Sequence, residues 1–186
     1  MNTREHNLSK RGEEHLICLR PAQPADEQLL KYWDQQPHVI ASAPNEIWDW
    51  EVELNRQPVW RRLLIAESDG RPVGFLQIID TLEEDTHYWG EANEDEKALD
   101  IWIGEARDLA KGYGTIMMRQ AIDICFSDPK TMTVLIDPLA GNTGARRFYE
   151  RLGFRFVEYR DFDEDHCAVY RFDRNDWERL RENLIT

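Results

Sequence analysis

The sequence lacks any run of about 18 apolar residues, so no segment is long enough to form a membrane-spanning helix. The stretch from Met1 to Glu14 is polar and charged where a secretory leader would need an apolar core. A cytoplasmic protein with no membrane partner is expected. Cysteine is scarce: Cys18, Cys125 and Cys167 are odd in number and far apart, which excludes a disulfide framework and a CxxC motif and predicts reduced, mostly buried thiols. The histidines (His6, His15, His38, His87 and His166) show no metal-ligand spacing, and no metal is expected. Positive charge is also in short supply. Against 36 Asp and Glu stand 23 Lys and Arg, giving a net charge of −13. Such a surface repels a phosphate backbone, which argues against nucleic acid and for a cationic partner.

What is present is ample material for a core. Of the 186 residues 41% are hydrophobic and 11% aromatic, enough for one domain that folds alone. Residues 1–14 read as a flexible tail and 15–186 as a single domain. HLICLRPA (15–22) alternates as a strand, and Pro24 opens a helix whose Leu29, Leu30 and Trp33 face one way. Residues 37–60 interleave prolines with Trp48, Trp50 and Trp60 around a short helix from Asp49 to Asn55; these aromatics either line a pocket or pack a second helix on the sheet. LLIAES and PVGFLQIID flank Asp69-Gly70 as a hairpin. An acidic loop then carries carboxylates from Glu83 to Glu96 around His87, Tyr88 and Trp89. Strands at 98–104, 133–138, 155–162 and 167–174 alternate with helices at 115–126, 142–152 and 175–184. This order predicts an α/β (α+β) domain with an antiparallel early half and crossover helices later.

Two segments carry chemistry. EARDLAKGYGT sets Gly112 and Gly114 just before an apolar-periodic helix, where missing Cβ atoms let main-chain amides approach an anion and the helix start adds positive potential. It is neither a Walker loop nor a GxGxxG fingerprint. In LIDPLAGNTGARRFYERLGF, Asn142 is a helix N-cap, Gly153 a C-cap, and Ala145, Phe148, Tyr149 and Leu152 form one buried face. A buried Tyr149 is either a satisfied core phenol or a proton donor in a site. Alternation along strand 98–104 puts Asp100, Trp102 and Gly104 opposite Leu99, Ile101 and Ile103. Asp100 is thus a carboxylate on a buried strand in need of a partner.

KGYGT at 111–115, a strand ending in Asp137-Pro138, and then Asn142, Ala145, Phe148-Tyr149 and Gly153-Phe154 resemble the GNAT superfamily of N-acetyltransferases over residues 15–172 in element order. LDIWIGEARDLAKGYGT and the DHCAVYRF ending are similar, within it, to aminoglycoside 6'-N-acetyltransferases. The resemblance implies a mixed sheet of about seven strands, with splayed fourth and fifth strands and flanking helices. It implies acetyl-CoA as cofactor, its pyrophosphate on amides of Leu109, Ala110, Lys111, Gly112, Tyr113, Gly114 and Thr115, its pantetheine along Ile101, Trp102 and Ile103, and Asn142 near its arm.

By the same resemblance Asp100 binds the reacting amine and acts as base, and Tyr149 protonates the leaving thiolate. Asp85, Asp137 and Asp165 hold further amines of the acceptor, while Trp89 packs on its sugar. Where many relatives carry a tryptophan pair after His-Val, this chain has His38-Val39-Ile40-Ala41-Ser42, with Trp48 and Trp50 available to refill the space. The expected function is therefore acetyl transfer to a primary amine, such as the 6'-amine of an aminoglycoside, in a monomer or homodimer. The alternatives are a siderophore hydroxylysine-type amine, a polyamine or a protein amine as acceptor, or a non-catalytic acyl-CoA-binding module.

Overall fold

A computed structural model describes residues 16–185; the expected tail, 1–14, lies outside them. The chain runs β1 (Ile17–Pro21), α1 (Glu27–Asp34), α2 (Pro37–Ile40), α3 (Trp50–Asn55), β2 (Arg61–Ser68), β3 (Arg71–Asp80) and β4 (Glu96–Ile103). It continues through α4 (Tyr113–Ser127), β5 (Thr133–Ile136), α5 (Thr143–Leu152), β6 (Arg155–Phe162), β7 (Asp165–Asp173) and α6 (Arg174–Ile185). The strands form a seven-stranded sheet in the order β1-β2-β3-β4-β5-β7-β6. All neighbours are antiparallel except β4 and β5. The expected architecture is therefore present, with the addition of α2, a single turn whose helical φ is preset by Pro37.

Local chemistry sets the ends of these elements. Asp69 (φ 52°) and Gly70 (φ 78°) both take the left-handed conformation that a two-residue type I′ hairpin needs. Asp49 caps α3 by accepting from the Val52 amide, Asn142 caps α5 by accepting from the Ala145 amide at 3.0 Å, and Gly153 (φ 103°) ends α5.

Alternation along the strands supplies two faces. On one, Leu64, Leu76, Leu99 and Val134 pack with Met117, Met118, Ala121 and Ile122 of α4 and with Tyr149 of α5. On the other, Ile65, Phe75 and Trp102 are covered by Leu30 and Trp33 of α1, Val39 of α2, and Trp50 and Leu54 of α3. Farther along that second face, Trp89 from the acidic loop packs with Ala98, Phe162, Cys167 and Val169.

Gly104 follows β4, donates its amide to the Val73 carbonyl at 2.9 Å, and lies flat against the Trp33 indole. A Cβ there would overlap the ring. Gly104→Ala should lower unfolding stability by roughly 1–3 kcal/mol, the usual range for forced overpacking, measured as a reduced midpoint in urea. An unchanged midpoint would show that the α1 layer yields freely.

Candidate active site

The parallel pair β4 and β5 is joined only through Glu96↔Thr133, Lys97↔Val134 and Ala98↔Leu135. Beyond it the strands part, and β4 continues to Ile103. Side chains alternate, so Asp100 and Asp137, each two residues past the last pair, project from the same face on opposite lips of the fork. A cleft of about 1060 Å³ runs through this opening. Its floor includes Asp100, Asp137, Gln77 and Ile101; Asn142, Ala145 and Tyr149 reach it from the α5 side.

Gln77 stands directly opposite Asp100 in the β3–β4 register, and its Nε2 donates to Asp100 Oδ2 at 2.5 Å. Tyr88 donates its hydroxyl to Asp137 Oδ2 at 2.6 Å. Burial raises the Asp100 carboxyl above the usual carboxylate range, against the opposing hydrogen bond from Gln77. Burial and the neighbouring Asp100 charge push Asp137 up to about 7. Glu46, from the loop between α2 and α3, also lines the cleft. The residue as a whole is exposed, yet desolvation of its carboxyl together with the Asp100 charge pushes it up to about 8. Tyr149 is 8% exposed, and its hydroxyl has no hydrogen-bond partner among the described residues. Burial, then the Asp100 and Asp137 charges, push the Tyr149 phenol above its ordinary value as well.

The expected anion loop lies at the start of α4. Gly112 is the N-cap with φ 85°, offers no side chain to the helix, and has open space where a Cβ would stand. The conformational demand thus falls on Gly112. Gly114 is already in the first turn, and a Cβ on it would meet the tip of the Phe148 ring at 3.4 Å. Ala110 is also left-handed (φ 60°). Asp108, 1% exposed, holds this turn in place: Arg71 binds it through both nitrogens at 2.7 and 2.9 Å and Lys111 at 2.9 Å, and the Arg71 hydrogen bond leads in lowering its carboxyl to about 2.

Residues 23–162 match the model of the acetyltransferase (GNAT) domain. The chain belongs to this family. It is 26% identical over 172 residues to the lysine N-acyltransferase MbtK of Mycobacterium sp. (strain MCS), covering 85% of this chain and 67% of that one. It is 32% identical over 91 residues to the aminoglycoside N(6')-acetyltransferase type 1 of Klebsiella pneumoniae, covering 48% and 45%. The structure of aminoglycoside acetyltransferase AAC(6')-Ib in complex with coenzyme A superposes with a TM-score of 0.80 at 24% identity, over 89% of this chain and 99% of that one, and shares the fold.

A GNAT acetyltransferase acts on amines with acetyl-CoA as co-substrate. The residues present fit that molecule. The α4 N-terminus offers first-turn amides behind an unobstructed Gly112, and the unpaired stretch of β4 past Ala98 offers a strand edge. One of the three positions expected along the pantetheine is partly engaged, since His38 Nε2 lies 2.8 Å from the Ile103 carbonyl.

Among the other residues singled out from sequence, Asp165 lines the cleft and accepts from Asn45 Nδ2 at 2.7 Å. Asp85 is not among the residues lining the cleft and pairs with Arg56, while the neighbouring Glu84 accepts from the Thr86 and Tyr88 amides at 2.8 Å each. Trp89 borders the cleft but is mainly a core residue, and Tyr88, stacked on Phe162 at 4.3 Å, is the more exposed ring. Trp48 and Trp50 stack at 4.5 Å beside Phe75 and Trp102. Sequence reasoning missed Glu46 and Gln77. The alternation of PVGFLQIID does place Gln77 on the Phe75 face, whereas no local pattern marks Glu46.

Raised carboxyls make the protein less stable as pH rises, because the folded state holds protons that the unfolded chain releases at lower pH. Stabilisation from Asp137 and Glu46 is complete below about pH 4, near their unfolded values, and is lost as pH passes about 7 to 8. The Tm of the ligand-free protein should fall across this window, and Asp137→Asn should flatten the slope. An identical slope in the variant would refute the assignment.

Proposed function

We propose that the acceptor is a polycationic primary amine, specifically the 6'-amine of an aminoglycoside, and that Asp100 and Tyr149 are the catalytic pair. The observation that carries this reading is the fork itself, an acidic cleft with a raised carboxylate from one face of the sheet and an unpartnered phenol from the other. Acetyl-CoA supplies an acetyl thioester. Asp100 holds the acceptor ammonium and takes its proton, a task suited to a carboxylate whose proton affinity is raised by burial. Tyr149 delivers its hydroxyl proton to the departing sulfur. Gly112 and the first turn of α4 seat the pyrophosphate, and Asn142 and Ile101 border the pantetheine arm. Asp137 and Asp165 hold further amines of the acceptor. Direct attack requires positioning and two proton transfers and no acyl-enzyme, so Cys167, buried with its thiol pushed up to about 12, has no nucleophilic role.

A lysine-type amine is the second reading. The MbtK relative is matched over 85% of this chain, whereas the aminoglycoside enzyme of Klebsiella pneumoniae is matched over 48%. Release of free thiol from acetyl-CoA, measured over kanamycin, lysine and hydroxylysine derivatives, and spermidine, separates the two. Highest kcat/KM with kanamycin supports the first; highest kcat/KM with a lysine derivative replaces it with the second. Coenzyme A binding without turnover on any amine would make the chain a non-catalytic acyl-CoA-binding module.

Tyr149→Phe keeps the ring packing and removes one hydroxyl, so kcat should fall by roughly 10²-fold, the lower end for loss of a general acid. Asp100→Asn should reduce kcat/KM for the amine by at least as much, and Cys167→Ala should stay active. Wild-type rates in both Tyr149→Phe and Asp100→Asn would make those two residues structural.

Gly114→Val should raise the acetyl-CoA KM with the acceptor KM little changed. Unchanged coenzyme A affinity in calorimetry would remove the α4 turn from the cofactor site.

A further inference from the structure

The loop between α2 and α3 crosses the mouth of the cleft and is anchored on both sides of Glu46. On one side Asn45 Nδ2 donates to Asp165 Oδ1 at 2.7 Å, a bond between residues 120 positions apart. On the other, Trp48 stacks almost parallel on the buried Trp50, with ring centroids 4.5 Å apart. Glu46 is thereby carried into the same cleft as Asp100 and Asp137.

The three carboxylates are not equally provided for. Asp100 has the Gln77 amide and Asp137 has the Tyr88 hydroxyl. Glu46 forms no ion pair among the described residues: the neutral Trp48 indole favours its charged form, while the charged groups acting on it are Asp100, Asp34 and Asp137, all carboxylates. Two further groups await a ligand there. Gln77, 4% exposed and lining the cleft, has a buried Oε1 with no hydrogen-bond partner, and the Tyr149 hydroxyl has none either. An ammonium at Asp100 neutralises one carboxylate and is within the reach of the Gln77 amide group. It leaves Glu46 without a cation beside Asp137, an arrangement relieved either by a retained proton or by a second positive charge.

We propose that Glu46 is a specificity-determining residue that receives a second cationic group of the acceptor, so that the cleft selects dications over monoamines of similar shape. The inference rests on the amine-transfer reading above. It goes beyond that reading in assigning the selection to a loop residue outside the sheet.

The test compares kcat and KM for kanamycin with those for 6-amino-6-deoxyglucose, which has one amine, in the wild type, Glu46→Gln and Glu46→Asp, with thermal melts to verify folding. In Glu46→Gln the kanamycin KM should rise at least about 10-fold, the loss of one ammonium–carboxylate contact of about 1.4 kcal/mol, with kcat changed far less. The ratio of kcat/KM values, kanamycin over monoamine, should drop by the same factor, and Glu46→Asp should restore part of it. A ratio unchanged from wild type, or an equal loss on both acceptors, overturns the role of Glu46 while leaving amine transfer intact. Failure of the wild type to acetylate either acceptor or any other amine overturns the amine-transfer reading, and this inference with it.

Discussion

The parting of β4 and β5 after the Ala98–Leu135 pair is the constraint on which the rest depends. A parallel pair that continued would satisfy its own backbone groups and seal the sheet. By ending after three residue pairs it leaves a strand edge of β4 exposed to a ligand, opens a passage between the two faces of the sheet, and aims Asp100 and Asp137 into that passage from either side. The antiparallel neighbours, β3 beside β4 and β7 beside β5, hold both lips in place, so the fork is rigid without being joined.

That opening has an electrostatic cost. Asp100, Asp137 and Glu46 share one cleft, with hydrogen bonds from Gln77 and Tyr88 at the first two; desolvation, joined at Glu46 and Asp137 by the Asp100 charge, raises all three above the usual range. Two carboxylates elsewhere are held in the opposite way. Asp108 is clasped by Arg71 and Lys111, and Asp26 by Arg20; burial works against Asp26, yet the hydrogen bonds from Arg20 and Gln23 prevail and hold it below its ordinary value.

The two halves of the cleft are built differently. On the side proposed for the co-substrate the parts are secondary structure, the start of α4 and the edge of β4, held by Asp108 and by packing against Met117 and Met118. On the side proposed for the acceptor the parts are loops, pinned by Tyr88 on Phe162, by Asn45 on Asp165 and by Trp48 on Trp50. Loops tolerate change in length and composition, so a fixed transfer chemistry can coexist with an acceptor pocket peculiar to each chain.

Much of this was legible in the sequence. Alternation fixed which residues of β4 share a face, the Asp69-Gly70 turn fixed the β2–β3 hairpin, and Asn142 and Gly153 fixed both ends of α5, because each is decided by neighbours within a few residues. Gly112 and Gly114 were visible as an opening before a helix, although only the backbone showed that Gly112 needs the left-handed conformation. Contacts between distant segments were beyond local reading. The Gln77–Asp100 pair follows from cross-strand register, the pairing of Asp85 with Arg56 from the meeting of two separate loops, and the place of Glu46 from two anchors on separate elements. Sequence by itself determined the elements, their order and the residue types at the fork, since those depend on local pattern. Tertiary structure decided which carboxylates face one another, since that depends on where separate loops are pinned on the sheet.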